Sequence, residues 1–383
     1  MFDIIVIGAG PAGSAAATCA ARQGHKVALL DKAKFPRNKL CGGLFTERSR
    51  TYYTEIFGQE FDLSHAVTRT DFAFWHQGRE LAVLRDVPPL HLTMRLDLDA
   101  RLFQHALHAG AQDFTGRPIA QITDNSVIFR DGETLTAAIL IGADGVNSII
   151  ARHLFGSPFD KNTIGFGLEI EAPNGGRPDG NQPLRIDLGA ANWGYGWSFP
   201  KCQSTTIGIG GLHAENPDMK ARFSAYLSTL GIDAEQVRVK GHYLPFGAFR
   251  KTPGRGHILL AGDAAGLVDP ITGEGIAFAM KSGQLAAQAA CDALKSDQPD
   301  MAITRYQSAL TDLHRNLRIA RRLRRIIFAP RWQKIFVTTF RRSGTVRLQY
   351  MRLLAGEIEY PELARSVLAR LPHYILNIFR RSP

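Results

Sequence analysis

Residues 4–17 read IIVIGAGPAGSAAA, an apolar β-branched run followed by a glycine-rich turn and an alanine-rich segment. The run predicts a buried strand, and the small residues after Gly13 predict a helix that ends near Gln23. A second apolar stretch, residues 27–30, ends at Asp31. This strand–turn–helix–strand context turns a weak G-x-G-x-x-G pattern into a dinucleotide-binding unit.

The three glycines of the turn have separate roles in such a unit. Gly8 allows the tight turn, Gly10 lets the backbone approach a pyrophosphate, and Gly13 lets the helix pack closely on the strand. The helix N-terminus stabilises the negative charge of the phosphates. Asp31 is placed to accept hydrogen bonds from an adenosine ribose. The alternative is an ordinary glycine-rich turn in an α/β protein.

The composition is that of a globular protein, with 45% hydrophobic and 21% charged residues among 383. Disordered and low-complexity classes are therefore excluded. The four cysteines form no C-x-x-C pair and no zinc spacing, which argues against a disulfide framework or a structural metal and favours a reducing cytoplasm. The longest apolar runs are too short for a conventional transmembrane helix.

The net charge of +11 is concentrated at one end of the chain. Residues 301–383 hold 17 Lys and Arg against 4 Asp and Glu, whereas residues 1–300 hold 29 against 31. This change of composition predicts a separate basic region at residues 301–383.

A second signature lies at residues 254–276, which read GRGHILLAGDAAGLVDPITGEGI. The pattern predicts a strand, an aspartate at its carboxyl end, and a loop that opens a helix. Asp263 can bind a polyol hydroxyl. Gly273 and Gly275 expose backbone N–H groups to the electron-rich edge of a ring.

GAGPAG at residues 8–13 and GDAAGLVDPITGEGI, with GADG at residues 142–145 between them, resemble FAD-dependent enzymes of the para-hydroxybenzoate hydroxylase fold. In that family the equivalent of Asp263 binds the ribityl chain and the following loop faces the flavin. Arg95, with Asp99 and Leu102, is similar to the R-x-x-F-D helix whose Arg contacts FAD. One departure is Asp31, where the wider family usually has Glu. The resemblance implies a cofactor site made of Gly8, Gly10, Ala12, Gly13, Asp31, Arg37, Cys41, Gly42, Arg95, Ile119, Asp144, Gly262, Asp263, Pro270, Gly273, Gly275 and Ile276.

Two further segments resemble the geranylgeranyl reductases within that fold. FPRNKLCGG at residues 35–43 is similar to their K-x-C-G-G loop, which implies that Cys41 lies near the flavin as a catalytic residue. WGYGWSFPK at residues 193–201 is similar to their Y-x-W-x-F-P motif. The resemblance implies that the prenyl chain is bound by Tyr195, Trp197, Phe199 and Pro200.

Such an aromatic stripe suits a substrate without polar handles. An isolated alkene must be bound through apolar area, at about 0.8 kcal/mol per buried CH₂, and aromatic residues at period two build an apolar wall. The alternatives are that these aromatic residues only fill the core and that Cys41 is an ordinary loop cysteine.

The expected fold class is α/β, with three parts. A discontinuous Rossmann-like FAD-binding domain comprises residues 1–66, 95–155 and 253–300. A mostly antiparallel β-sheet substrate domain is inserted at residues 67–94 and 156–252. A basic helical C-terminal region covers residues 301–383.

The C-terminal region contains an amphipathic helical pattern. One face carries Leu310, Leu313, Leu317, Ala320 and Ile327, and the rest carries six arginines between residues 315 and 325. A basic amphipathic helix with nearby aromatic residues is typical of a membrane-surface element. We expect a cytoplasmic protein attached peripherally to the inner face of the membrane. Nucleic-acid binding is disfavoured because no helix-turn-helix, RNA-binding or zinc signature is present; a solvated charged face is the other alternative.

The predicted function is an FAD-dependent reductase that saturates C=C bonds of a geranylgeranyl-type chain on a lipid, quinone or pigment precursor. The sequence has no second G-x-G-x-x-G motif that would indicate a separate nicotinamide-binding domain. We therefore expect that the electron donor is either NAD(P)H (NADPH among the candidates), which binds transiently, or a protein such as reduced ferredoxin. The alternatives are a flavin monooxygenase that hydroxylates or epoxidises an apolar substrate, and a non-catalytic flavoprotein on the membrane surface.

Overall fold

A computed structural model describes residues 1–173, 182–246 and 248–365. The strands in these ranges are β1 (Phe2–Ile7), β2 (Val27–Asp31), β3 (Leu44–Phe45), β4 (Val67–Arg69), β5 (Phe72–His76), β6 (Arg79–Leu84), β7 (Leu90–Leu92), β8 (Gln112–Thr115), β9 (Ile119–Ile122), β10 (Ser126–Phe129), β11 (Thr134–Gly142), β12 (Gly165–Pro173), β13 (Leu184–Leu188), β14 (Tyr195–Pro200), β15 (Ser204–Leu212), β16 (Lys240–Leu244), β17 (Gly254–Arg255) and β18 (Ile258–Leu260). The helices are α1 (Pro11–Arg22), α2 (Glu47–Phe57), α3 (Arg95–His108), α4 (Ile149–Phe155), α5 (Met219–Thr229), α6 (Ile276–Lys295), α7 (Ala302–Ala309), α8 (Thr311–Phe328), α9 (Pro330–Arg342) and α10 (Gly344–Ala355).

The eight-stranded sheet is the predicted dinucleotide-binding sheet. Its strands run in the order β17-β18-β11-β1-β2-β8, with β10 and β9 extending from β11. The pairs among β18, β11, β1, β2 and β8 are parallel. The central strands are continuous apolar runs because both faces of a parallel sheet are covered, here with α1, α3 and α6 contributing to the core. The α/β class and the discontinuous Rossmann-like sheet are thereby confirmed.

The seven-stranded sheet has the order β16-β12-β15-β14-β13-β5-β6. Its pairs are antiparallel except for β13 with β5, so the expectation of a mostly antiparallel second sheet is confirmed. One face of the sheet packs on α5, where Leu168 and Ile209 meet Phe223 in a buried cluster. The other face is therefore left to face the cavity described below.

The segment 67–94 divides between two sheets. β5 and β6 join the seven-stranded sheet, whereas β4 and β7 pair with β3 in a separate three-stranded sheet. Alternating hydrophobicity predicts that a segment is a strand but does not specify which strand it pairs with.

The apolar face of α8 does not have the environment that we expected for a membrane-surface helix. Leu310 and Leu317 are buried in the same core as the eight-stranded sheet, and Ala320 is buried beside Ile358 and Tyr360. The stripe predicted to insert into a membrane is thus covered by the protein itself. No helix in the described ranges is both long and apolar enough to span a bilayer. Residues 366–383 of the predicted C-terminal region lie outside the described residues.

Candidate functional site

One cavity of about 750 Å³ is lined by residues from both large sheets and from the C-terminal helices. It brings together residues that are far apart in the sequence, from the first glycine turn to α10. The sequence-predicted residues that line it are Gly8, Gly10, Ala12, Asp31, Arg37, Cys41, Gly42, Arg95, Ile119, Asp144, Tyr195, Trp197, Phe199, Asp263, Pro270, Gly273, Gly275 and Ile276.

Three predicted residues do not line this cavity. A Cβ built on Gly13 would lie 1.7 Å from the Gly8 carbonyl oxygen, so Gly13 serves the close packing of helix on strand. The Gly262 N–H donates to Ser282 Oγ (2.9 Å) behind the cavity wall. Pro200, predicted as a substrate contact, instead lines a separate cavity with Pro173 and Thr205. As the residue after Phe199 on a strand, it lies on the opposite face of the sheet.

The first glycine turn forms a cradle at one end of the cavity. Gly8 has φ 101°, and a Cβ there would lie 2.3 Å from the Ala143 carbonyl oxygen of the GADG segment. α1 begins immediately afterwards at Pro11, and its N-cap, Gly10, makes no side-chain capping bond. The free N–H groups at this helix N-terminus are suited to an anion such as a pyrophosphate.

Asp31 is fixed at the end of β2 by backbone N–H groups. Its carboxylate accepts hydrogen bonds from the N–H of Ala9 (3.0 Å) and of Ala33 (2.9 Å). Arg37 lies beside it, with Nε 3.8 Å from Asp31 Oδ2. Carboxylate oxygens have further lone pairs, so Asp31 can still accept a bond from a ribose hydroxyl in the cavity.

Asp99 holds two arginines at the cavity wall. Arg95 makes a bidentate pair with its carboxylate (2.7 and 2.8 Å), and Arg37 Nη1 lies 3.2 Å from it. Asp99 is fully buried. The arrangement explains why Arg95 and Asp99 occur one helical turn apart at the start of α3.

Polar groups without protein partners lie at the same end of the cavity. Asp144 Oδ2 accepts from the Ile149 N–H (2.7 Å), but its Oδ1 is buried without a partner among the described residues. Burial raises the pKa of Asp144. α6 begins at Ile276, and its N-cap, Gly275, makes no side-chain capping bond. These acceptors and donors are those that a phosphate- and polyol-bearing cofactor uses, so the residues fit FAD.

The loop at residues 39–43 and the strand β14 meet at the other end of the cavity. A Cβ on Gly42 would lie 2.9 Å from the Phe199 ring and 3.7 Å from Trp197 Nε1. A Cβ on Gly208 would lie 2.3 Å from the Trp197 indole, so this glycine of β15 makes room for the ring. Tyr195 Oη donates to the Thr272 carbonyl oxygen (2.5 Å) and thereby links β14 to the loop before α6.

Comparison with known proteins identifies the family of the chain. Residues 3–88 match the family model "FAD dependent oxidoreductase". The geranylgeranyl diphosphate reductase of Rhodobacter capsulatus is 32% identical over 326 residues, which cover 79% of each chain. The chain belongs to the geranylgeranyl reductase family of FAD-dependent oxidoreductases. The menaquinone reductase of Mycolicibacterium smegmatis is also similar, with 30% identity over 92% of this chain and 91% of that protein.

Solved structures with the same fold include both reductase-like and other flavoproteins. A geranylgeranyl bacteriochlorophyll reductase-like protein from Thermoplasma acidophilum has a TM-score of 0.77 at 22% identity, over 96% of this chain and 98% of that one. A probable FAD-dependent monooxygenase from Pseudomonas aeruginosa has a TM-score of 0.65 at 18% identity, over 88% and 99%. At these identities the similarity establishes the fold, and a fold alone does not select the reaction.

The flavoprotein has an acid in its cavity that sequence reasoning missed. Glu169, on β12, lines the cavity, and its Oε1 accepts a hydrogen bond from the Cys41 N–H (3.2 Å). Burial raises the pKa of Glu169 to about 7, and the opposing effects of Lys201 and of the Cys41 N–H offset this only in part. The available signal was the alternation in GFGLEIEAP, which puts Glu169 on the strand face opposite the buried Leu168 and Ile170.

The C-terminal helices supply a second part of the wall that sequence reasoning missed. Phe328, Tyr350 and Leu354 line the cavity. Phe340 packs against Phe74 of β5 with ring centroids 4.7 Å apart. The basic composition of this region gave no indication of its contribution to the cavity.

Lys39 of the K-x-C-G-G loop is held by a histidine. Its Nζ is hydrogen-bonded to His242 Nε2, and both residues line the cavity. Burial lowers the pKa of Lys39 to about 8 and that of His242 to about 4. At neutral pH, therefore, the ammonium donates to a neutral imidazole and contributes a positive charge to the cavity wall.

A buried network joins the loop before α6 to the C-terminal region. Arg48 pairs with Glu274, which also accepts from Thr46 Oγ1 (2.5 Å), and Arg48 Nη2 lies 3.4 Å from Glu359. Tyr360 Oη lies 2.8 Å from both carboxylate oxygens of Asp269. The two contacts connect residues 359–360 to the loop that the family resemblance assigns to the flavin.

Proposed function

We propose that this flavoprotein saturates carbon–carbon double bonds of a geranylgeranyl-type prenyl chain carried on a lipid, quinone or pigment precursor. The proposal depends chiefly on the contact between Gly42 and Phe199, since it joins the K-x-C-G-G loop to the aromatic strand in one cavity. It is supported by relatives that are named for geranylgeranyl diphosphate and for menaquinone, both isoprenoid compounds.

The cavity residues divide this task between them. When bound and reduced, FAD would supply the two electrons of the reduction as a hydride. Tyr195, Trp197 and Phe199 would hold the prenyl chain through apolar contact and exclude water from the alkene. The uncapped N-termini of α1 and α6 and the side chains of Asp31, Arg95 and Asp263 would hold the cofactor. The electrons would come from NAD(P)H or from reduced ferredoxin.

Anaerobic turnover tests the reaction class. Purified protein with FAD, dithionite and geranylgeranyl diphosphate should yield products heavier by two hydrogen atoms for each double bond that is reduced. The same assay with NADPH, NADH or reduced ferredoxin in place of dithionite identifies the donor. Oxygenated products that form only in air would instead establish a monooxygenase, and an absence of product under both conditions would contradict the reduction of this substrate.

We further propose that the C-terminal helices attach the protein to an anionic membrane surface. The apolar face of α8 is occupied, but Ile326, Trp332 and Ile335 of the α8–α9 region are 48%, 45% and 56% exposed. Trp332 and Ile335 lie one turn apart on α9. Residues 321–342 contain no acidic residue, and their positive charge is complementary to anionic lipid. The exposed basic residues in this range are Arg321, Arg322, Arg325, Arg331, Lys334, Arg341 and Arg342.

Arg324 must be kept in any test of membrane binding. Its guanidinium is buried and donates to the carbonyl oxygens of Phe246 (3.3 Å) and Trp193 (3.2 Å), so its replacement would perturb the fold. The variant to use changes Arg321, Arg322 and Arg325 to Gln. Each exposed basic residue near an anionic leaflet contributes about 1 kcal/mol, so the triple variant should bind about a hundredfold less strongly.

Co-sedimentation with liposomes at low and high salt provides the measurement. Wild-type protein should sediment with vesicles that contain phosphatidylglycerol, and less at high salt. A matched control changes Arg152, Lys220 and Lys251, three exposed residues outside the C-terminal region, to Gln and should bind as wild type. Equal binding to neutral and anionic vesicles, or binding to neither, would contradict the proposal.

A further inference from the structure

Glu169 lies where the two substrate-side motifs converge. Its carboxylate accepts from the backbone of Cys41, and the next residue, Gly42, is in contact range of Phe199 and Trp197. The cavity lining contains all five residues. Three separate segments, at residues 41–42, 169 and 197–199, thus meet around one carboxyl group.

One oxygen of this carboxyl group makes no hydrogen bond of ordinary geometry. Oε1 accepts the Cys41 hydrogen bond, whereas Oε2 is buried without such a bond among the described residues, although the Trp197 indole N–H lies close enough to the carboxyl group to lower its pKa. Glu169 as a whole is 6% exposed. A buried, ionised oxygen without a full hydrogen bond is costly, and protonation of that oxygen reduces the cost.

The other acids of the cavity have different positions. Asp31, Asp144 and Asp263 lie at the cofactor end, where the first two accept backbone N–H bonds and the resemblance assigns Asp263 to the ribityl chain. Glu274 is paired with Arg48. Of the five carboxyl groups that line the cavity in the described part of the chain, Glu169 is thus the one at the aromatic end.

The other proton carriers at this end are less suited to the task. The Lys39 ammonium is held in its hydrogen bond to His242. The low pKa of His242, about 4, leaves a neutral ring at neutral pH, whose remaining N–H is a very weak acid. Tyr195 uses its hydroxyl in the hydrogen bond to Thr272, and burial raises its pKa. Cys41 Sγ accepts from the Gly43 N–H (3.4 Å).

We propose that Glu169 is the general acid of the reduction. The O–H bond at its Oε2 breaks, and a C–H bond forms on the alkene carbon that does not receive the hydride. The hydride brings the electron pair for the other C–H bond, so the alkene gains one hydride and one proton and the carboxyl group becomes a carboxylate. Water that enters the cavity after product release returns the proton. This inference rests on the proposed reductase function and names the acid for it.

The charges around Glu169 allow it to hold a proton near neutral pH. The titratable groups that face it are Cys41 on the loop, Glu171 on the same strand, Lys201 after β14, and Lys240 and His242 on the neighbouring β16. Burial and, to a smaller extent, Glu171 raise the pKa of Glu169, while Lys201, the Cys41 N–H and the Trp197 indole N–H lower it, with the balance at about 7. A general acid is most effective when its pKa is close to the working pH.

The variant Glu169→Gln separates this chemistry from a positioning role. The Gln side-chain oxygen can still accept the Cys41 hydrogen bond, but the side chain cannot donate an acidic proton. Under the anaerobic assay kcat should fall by about 10²–10⁴-fold with little change in KM, and Glu169→Asp should restore part of it. Wild-type kcat should decline above about pH 7, and the residual activity of the variant should not.

Glu171→Gln is the matched control. Glu171 lies two residues along the same strand, is exposed, and accepts from Ser204 and from Thr206 (2.7 Å) outside the cavity lining. The variant Glu171→Gln should change kcat by no more than about threefold, a much smaller effect than the loss of a general acid would have. Wild-type kcat in Glu169→Gln would show that Glu169 only positions the Cys41 loop, and would overturn the proposal.

Infrared difference spectroscopy gives a readout without turnover. The FAD-loaded, oxidised wild type should show the C=O band of a protonated carboxylic acid that titrates near pH 7. The band should be missing in Glu169→Gln and retained in Glu171→Gln. Absence of the band in wild type at pH 6 would overturn the inference while leaving the reductase function intact. A wild type that shows the band but saturates no alkene would overturn the reductase function and, with it, the role of Glu169.

Discussion

At the cofactor end of the cavity the wall is largely backbone, whereas at the substrate end it is largely side chain. The first end contains the Gly8 turn and the loop before α6, where free N–H groups and glycines leave room for a ligand. The second contains Trp197, Phe199 and Tyr350, together with the carboxyl group of Glu169.

The difference shows that the two ends respond to substitution in different ways. A wall of backbone leaves no space for a new Cβ, because the contacting backbone atoms can move only if a whole strand, helix or turn moves with them. A wall of side chains can rearrange rotamers, so changes there alter the shape and polarity of the pocket before they affect the fold. Substitutions at the cofactor end should therefore release FAD, and those at the substrate end should change turnover.

The largest effect on stability is expected at the junction between the loop before α6 and the C-terminal region. Arg48→Met leaves Glu274 buried without its ionic partner, and removal of one member of a buried pair costs about 3–5 kcal/mol. Urea denaturation measures the loss in the free energy of unfolding. The control is Arg50→Met on the same helix, whose pair with Glu47 is half-exposed and worth about 0–1 kcal/mol. Equal stability of the two variants would mean that the two regions are not coupled through Arg48.

The next effect concerns the backbone wall. In Gly13→Ala the new Cβ would lie 1.7 Å from the Gly8 carbonyl oxygen, and the shift of α1 should cost about 1–3 kcal/mol. FAD affinity, followed by flavin fluorescence, should fall by about tenfold or more, equal to about 1.4 kcal/mol. In Gly167→Ala, on β12 of the seven-stranded sheet, the new Cβ meets the Leu244 side chain at 3.1 Å and the Ile209 carbonyl oxygen at 3.3 Å, and the variant should keep its FAD. Loss of FAD from both variants would contradict the prediction that only substitutions at the cofactor end release FAD.

A pH-dependent effect on stability is expected from Glu169. Its folded-state pKa of about 7 lies above the ordinary 4.5, so between these values the folded state holds a proton that the unfolded state has released. Wild-type stability should therefore fall as pH rises through this window. As the pH rises from 5 to 8, the free energy of unfolding of Glu169→Gln should fall by about 2–3 kcal/mol less than that of wild type, at about 1.4 kcal/mol per pKa unit. Thermal unfolding across this range checks the prediction, and Glu171→Gln should keep the fall in stability, with a midpoint slightly below that of wild type because Glu171 raises the pKa of Glu169.

The smallest effect on stability is expected for Cys41→Ser. The change should alter the free energy of unfolding by less than about 1 kcal/mol and leave FAD bound. It should nevertheless change turnover or the positions of the reduced double bonds, because a smaller and more polar group would line the cavity. Product analysis by mass spectrometry measures this. An unchanged rate and product pattern, matching those of the exposed Cys202→Ser, would make Cys41 an ordinary loop cysteine.

Sequence reasoning reached the cofactor end more completely than the substrate end. Gly8, Asp31 and Asp263 stand in short motifs whose spacing reflects local needs, namely a positive φ, a strand end and a helix start. Glu169 stands in no such motif, and Pro200 lines another cavity although its motif is intact. Identification of Glu169 required knowledge of which strand lies next to Cys41. The position of Pro200 depended on the face of β14 to which Phe199 is turned.

The sequence by itself determined the dinucleotide unit, the second flavin signature and the family. These features follow from steric and hydrogen-bonding requirements that act over a few consecutive residues. Only the tertiary structure decided that α8 buries its apolar face in the protein, that Phe328, Tyr350 and Leu354 close the cavity, and that Glu169 meets Cys41. The physical reason is that hydrophobic burial is non-directional. An amphipathic pattern therefore requires a covering surface without specifying which one, and the rest of the chain supplies it.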